Sequence, residues 1–282
     1  MPPLLSDITD CLSSISDTPA LDASVLVAHI VNKPRTWVMA HPGLSLTNEQ
    51  RNKLNASLAR LESGEPFPYV LGHWEFFGME FDITPDVLIP RPETELLVEK
   101  AVVWMQESNV RRTVVDVGTG SGVIAVSIAA HIPMAHVLAT DISLPALAVA
   151  ENNARKFNVP DRIKFVECDI LPPHPKSLPT EEHFDLLCAN LPYIPTEILH
   201  SLPVYGREPT LALDGGADGL DLFRKLMNIA PEWMAPNSLI LLEIEATLGV
   251  QALNLAYDMF SGARIHLHKD LTGRDRLLEI ML

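Results

Sequence analysis

The run Asn190-Leu191-Pro192-Tyr193 joins residue types that can grip a flat amino group. The Asn190 side-chain oxygen and the Leu191 backbone carbonyl can both accept hydrogen bonds from one NH2. Pro192 fixes φ within the turn, and the Tyr193 ring can lie against a planar group. The turn follows the largely apolar stretch 184–189, which reads as a buried parallel strand. A second set lies upstream at Asp116, Gly118, Thr119, Gly120, Ser121 and Gly122. Its glycines permit a tight turn and let backbone approach a ligand closely. The spacing is GxGxG, not the GxGxxG of dinucleotide binders. The two sets together point to methyl transfer from S-adenosylmethionine to a planar nitrogen.

Asp141 ends the strand after the glycine loop. A carboxylate there can accept from both ribose hydroxyls, or cap the helix that Asp-Ile-Ser would open. Asp169 ends the third strand and can accept from an adenine amino group, with Ile170 beside it to cover the ring. Asp116 sits inside its strand; it orients the glycine loop or faces the amino end of the methionine moiety. Ligands of open α/β sheets bind beyond the carboxyl ends of the strands. Asn190 stands at such an end and is expected to border the donor as well as the acceptor.

The acceptor chemistry explains the turn. An amide nitrogen is a poor nucleophile because its lone pair is delocalised into the carbonyl. Two acceptors on the NH2 hydrogens favour a more pyramidal nitrogen and absorb developing positive charge, an effect of about 3–4 kcal/mol per well-placed group. Alignment of nitrogen, methyl and sulfur adds up to roughly 7–11 kcal/mol. No nucleophilic side chain or metal is needed, and no His/Cys/Asp cluster has metal-ligand spacing.

The elements that must position these residues are readable from periodicity. Residues 1–72 read as helices, with Asp17 or Thr18 as a cap ahead of Pro19 and a second amphipathic stretch from Thr47 to Glu62 ended by Gly64. Residues 73–92 read as an aromatic β-hairpin about Gly78 and a proline-rich link. From 93 to 282 a helix to about Gln106 leads into alternating strands and helices. The strands are expected at 113–117, 136–141, 164–168, 184–189 and 238–244, with helices at 122–131, 145–157 and 219–234. A final helix and strands at 264–269 and 276–282, joined by a hairpin, close the chain. This alternation argues for an α/β doubly wound sheet with an antiparallel last strand, placed at the sheet edge.

Bulk properties narrow the class. The chain of 282 residues is 47% apolar and carries a formal net charge of −15. That acidity disfavours a nucleic-acid substrate, which needs clustered Lys and Arg, and suits a basic protein partner. No apolar run is long enough to span a membrane, and no basic-then-apolar leader opens the chain. A cytoplasmic monomer is expected. Cys11, Cys168 and Cys188 form no CxxC pair and read as reduced, buried thiols.

At this point the residues resemble the HemK/PrmC family of peptide chain release factor glutamine methyltransferases, nearly end to end. The resemblance rests on Leu21-Asp22-Ala23, Arg35-Thr36-Trp37, Gly64-Glu65-Pro66, Phe76-Phe77-Gly78, the stretch Ile89–Glu95, the glycine loop, the Asn190 turn and Arg207-Glu208-Pro209. It implies a Rossmann-like class I methyltransferase domain behind a helical domain that docks the release factor. It implies S-adenosylmethionine as donor and the glutamine of a Gly-Gly-Gln loop as acceptor. Arg91 and Glu93 are placed at the pocket mouth or in linker packing. Two departures stand out. Leu191 replaces a proline of Asn-Pro-Pro-Tyr, which keeps the carbonyl but loosens the turn, and Glu245 replaces a glycine. Rival readings are a ribosomal-protein glutamine methyltransferase, a nucleic-acid adenine methyltransferase, a Rossmann oxidoreductase and a non-catalytic scaffold.

Overall fold

The computed structural model describes residues 3–172 and 183–282. They fall into two compact units, Met1–His73 and Trp74–Leu282. The first is helical: α1 (Pro3–Leu12), α2 (Pro19–Val31), α3 (Arg35–Ala40), α4 (Asn48–Glu62) and α5 (Phe67–Leu71). Helix α2 begins on Pro19, whose fixed φ suits a first helical position, although Thr18 makes no side-chain cap. Helix α4 begins with a reciprocal capping box between Thr47 and Gln50. The apolar face of α2, with Ala23, Leu26 and Val27 buried, packs among α1, α3 and α4.

The expected hairpin follows, β1 (His73–Phe76) and β2 (Met79–Asp82). A short 3-10 turn, Pro92–Thr94, leads into α6 (Glu95–Gln106). The main sheet follows, with β3 (Thr113–Val117), α7 (Val123–His131), β4 (His136–Asp141), α8 (Leu144–Lys156), β5 (Ile163–Glu167) and β6 (Phe184–Ala189). Then come α9 (Thr196–Leu199), α10 (Asp221–Ile229), β7 (Met234–Glu243), α11 (Gly249–Met259), β8 (Arg264–Lys269) and β9 (Asp275–Met281). The seven strands run β5-β4-β3-β6-β7-β9-β8. The first five are mutually parallel, and β9 is antiparallel to both β7 and β8.

Alternate strand residues feed two cores. Val114, Leu186, Cys188, Leu239 and Leu241 face α6, α7 and α8. Val115, Val117, Leu187, Ala189, Ile240 and Leu242 face α10 and α11. Strands buried on both faces explain the near-continuous apolar runs in the sequence.

Several expectations need correction. The antiparallel strand is the last of the chain, but it lies one place in from the edge, because β9 returns between β7 and β8. The helix expected over 219–234 stops at Ile229. Pro231 cannot donate to a continuing α-helix, and Ala230–Glu232 closes as a 3-10 turn. Strand β7 therefore starts at Met234, four residues earlier than expected. Cys11 is exposed and Cys168 half-buried just beyond β5, so only Cys188 is the buried thiol expected of all three. Among the described residues, no helix is long and apolar enough to cross a membrane.

Candidate active site

The carboxyl ends of β3, β4, β5 and β6 open into one cleft of about 190 Å3. Gly118, Thr119, Gly120, Ser121, Asp141, Asp169, Ile170, Asn190, Leu191 and Pro192 all line it. The sheet order causes this meeting, since β3 lies between β4 and β6. Asp116 and Tyr193 sit behind the lining. Gly122 lies at the start of α7, where a Cβ would stand 3.0 Å from that of Ala150. That glycine serves the packing of α7 on α8, while Gly118 and Gly120 shape the loop that fronts the cleft.

Asp116 is wholly buried and braces this loop. Its Oδ2 accepts from the Thr119 hydroxyl at 2.6 Å and from the Ala125 backbone N–H at 3.1 Å. Its Oδ1 is buried without a hydrogen-bond partner. Burial pushes this carboxyl up to about 7, against the pull of those two donors. Of the two roles open to Asp116 in the sequence, orientation of the loop is the one its bonds serve.

Asp141 holds both neighbouring turns. Oδ2 accepts from Gly120 N–H at 2.9 Å and Oδ1 from Ser143 N–H at 2.9 Å. The helix α8 itself is capped by Ser143, whose hydroxyl accepts from Ala146 N–H. An ionised carboxylate offers about four acceptor positions, so Asp141 keeps capacity beyond these backbone bonds at the cleft it lines. Burial raises its pKa above the ordinary value, with the backbone N–H groups opposing. Asp169 is exposed and ion-paired with Lys225 of α10, a partner not foreseen in the sequence. Ile170 is buried against the cleft at φ 70°, and its carbonyl accepts from the Thr140 hydroxyl at 2.7 Å.

The turn after β6 is built around Asn190. Its Nδ2 donates to Thr94 Oγ1 at 3.0 Å. In this orientation Oδ1 is the amide atom left to accept, in a residue that lines the cleft. Tyr193 is largely buried, and burial followed by the nearby Glu243 carboxylate raises its phenol pKa. From the other side, Ile194 N–H donates to Leu213 and Gly215 N–H to Ile194, which clamps the turn's exit. Glu208 ties the proline-rich link to this region: it accepts from Ile89 N–H at 3.0 Å and pairs with Arg91 at 2.5 Å. Arg91 thus lines the cleft mouth through a nearly buried carboxylate. Glu245 has a local task, accepting from Thr247 N–H at 2.6 Å to cap the turn into α11.

Two residues behind the turn were not singled out in the sequence. Thr94 is 2% exposed, and Glu243, at the end of β7, is 1% exposed. The only sequence signal for Glu243 was a charge ending the apolar stretch 238–242 at the ligand-bearing end of a sheet.

Comparisons with known proteins agree with this architecture. Residues 3–72 match the family of the PrmC N-terminal domain, and residues 108–243 match a methyltransferase domain. The release factor glutamine methyltransferase of Moorella thermoacetica is 40% identical, covering 92% of this chain and 90% of its own. That of Bordetella pertussis is 38% identical over 92% of this chain and 93% of its own. The chain belongs to the release factor glutamine methyltransferase family. Solved structures share the fold at lower identity. A SAM-dependent methyltransferase from Agrobacterium tumefaciens has a TM-score of 0.51 at 16% identity, covering 74% of this chain and 69% of its own. A T. Thermophilus 16S rRNA methyltransferase in complex with AdoMet and guanosine has a TM-score of 0.53 at 18% identity, covering 74% of this chain and 49% of its own.

Proposed function

We propose that this protein transfers a methyl group from S-adenosylmethionine to the side-chain amide nitrogen of the glutamine in a release factor's Gly-Gly-Gln loop. The observation that carries this reading is the placement of Asn190. It stands at the end of β6, in the same cleft as Gly118, Gly120, Asp141 and Asp169, with its NH2 tied to Thr94 and its oxygen available. The donor site fits a nucleoside with an amino-acid tail. The loop fronting it is made of glycines, and a Cβ on Gly118 would stand 3.1 Å from Leu191 Cδ2. Gly118–Ser121 would hold the tail, Asp141 the ribose hydroxyls, and Asp169 with Ile170 the adenine. When bound, this group supplies an electrophilic methyl on a sulfonium centre.

The chain's own residues prepare the acceptor. Asn190 Oδ1 and the Leu191 carbonyl accept from the two amide hydrogens and draw off positive charge as it develops on nitrogen. Leu191 and Pro192 keep water from the cleft wall, and the buried Tyr193 ring supports the turn. The helical residues 3–72 serve to dock the acceptor protein, and the net charge of −15 suits a basic one.

The test offers labelled S-adenosylmethionine with release factor, ribosomal protein and DNA in parallel. Label is expected on the release factor and is expected to vanish when its Gly-Gly-Gln glutamine is changed. Asn190→Ala is expected to lower turnover by a factor on the order of 100 or more, with donor affinity within about twofold of wild type. Label on ribosomal protein or DNA instead, or unimpaired turnover in the variant, would overturn the reading.

A further inference from the structure

The asparagine of the acceptor turn is useful only one way round. Its oxygen must face the incoming NH2; if the amide turned over, its own NH2 would oppose the substrate's. Thr94 Oγ1 lies 3.0 Å from Asn190 Nδ2. A hydroxyl, however, can donate as readily as it accepts. Alone, Thr94 would tolerate either orientation of the amide.

What stands behind Thr94 breaks the tie. Strands β6 and β7 are parallel with Ala189 opposite Leu242, so Asn190 and Glu243 follow at neighbouring positions. The Glu243 carboxyl is buried, and neither oxygen has a hydrogen-bond partner among the described residues. The Thr94 hydroxyl is close enough to stabilise its charge, as are Arg276 and Arg91, while Glu93 opposes it. Tyr193 faces it from the turn. Once ionised, above about pH 7, this carboxyl accepts and cannot donate, so it claims the Thr94 proton. Thr94 Oγ is then left to accept from Asn190.

We propose that Glu243 and Thr94 are positioning residues that fix the amide of Asn190: Glu243 takes the Thr94 hydroxyl proton, Thr94 takes an Asn190 NH, and the Asn190 oxygen is turned to the substrate glutamine. The inference rests on the proposed function and adds two residues to it. A wholly buried carboxyl at the ligand-bearing end of the sheet, raised by desolvation to about 7, is what a site residue rather than a core residue looks like.

The consequence is discrimination between an amide and a carboxylate. A cradle of acceptors favours glutamine, whereas a turned amide presents donors and accommodates glutamate. The experiment uses the full chain and two synthetic peptides bearing Gly-Gly-Gln or Gly-Gly-Glu, with binding measured by calorimetry without donor. Wild-type methylation of release factor is the control: if it fails, the proposed function fails and not this refinement. With wild type active, Thr94→Val is expected to lower kcat at least tenfold and to lose most of the preference for the glutamine peptide, with donor affinity within twofold. Thr94→Ser restores the hydroxyl and is expected to recover most of both losses. Glu243→Leu is expected to resemble Thr94→Val, and Glu243→Gln, which keeps an acceptor oxygen, to be the milder change. Thr94→Val with wild-type kcat and undiminished preference overturns the inference. Equal loss in Thr94→Val and Thr94→Ser also overturns it, because packing and not the hydroxyl would then be responsible.

Discussion

Leu191 sits between the two halves of the site. Its backbone carbonyl belongs to the proposed acceptor cradle, while its side chain, 3% exposed, lies over Gly118 of the glycine loop. A proline at this position would stiffen the turn but reach less far across the loop. The two effects oppose each other, so Leu191→Pro is expected to change turnover less than tenfold in single-turnover methylation; a hundredfold change would contradict this account. Leu191→Ala removes the side chain from the packed core below the cleft. It is expected to cost about 2–5 kcal/mol in urea unfolding, as for other buried leucines, and to weaken donor binding as Gly118 loses its cover. Unchanged donor affinity in a folded variant would show that the contact is incidental.

The acceptor turn is an element held by another element. The loop 213–219, between the turn and α10, passes so close that its glycines have no room for side chains. A Cβ on Gly215 would stand 2.6 Å from Tyr193 Cα, and one on Gly219 would overlap the Tyr193 carbonyl oxygen. Gly219 also holds φ at 83°, a left-handed conformation that costs about 1–2 kcal/mol for a residue with a Cβ. Gly219→Ala is therefore expected to destabilise the protein by at least that amount and to displace the turn. The expected signature is a kcat reduced tenfold or more, with donor affinity affected much less. A variant with wild-type turnover would show that the loop yields instead of the turn. The Glu208 carboxylate adds a second tie, joining the 89–91 link to this same region through Ile89 and Arg91.

At the scale of the whole molecule, the site charges a cost in stability. Burial raises both Asp116 and Glu243 to about 7 from ordinary values of 3.8 and 4.5. A carboxyl with a folded pKa above its unfolded one favours the fold in its protonated form. Its contribution is complete below the unfolded pKa and is lost as pH rises through the folded one. For Glu243 the window runs from about pH 4.5 to 7. Glu243→Gln is neutral throughout, so its stability relative to wild type is expected to improve by about 2–3 kcal/mol between pH 5 and pH 8. Urea midpoints of both proteins at the two pH values measure this. A difference that is constant with pH, or that moves against the variant, would show that Glu243 ionises freely in the fold.

The sequence by itself determined the local units and the chemistry they can carry. Strands 113–117, 136–141 and 184–189 were legible because apolar runs bounded by glycine, proline and acidic residues leave little choice of conformation. The glycine loop, Asp141 and the Asn190 turn were legible as turns at strand ends because glycine, aspartate, asparagine and proline favour turns over continued strand. The tertiary structure alone decided which distant residues share a task. Thr94 lies 96 positions from Asn190, and Glu208 lies 117 from Arg91. No local pattern ties a buried threonine just ahead of α6 to an asparagine beyond β6. The return of β9 between β7 and β8 was hidden for the same reason, since strand order depends on which apolar faces close the core and not on where each strand begins or ends.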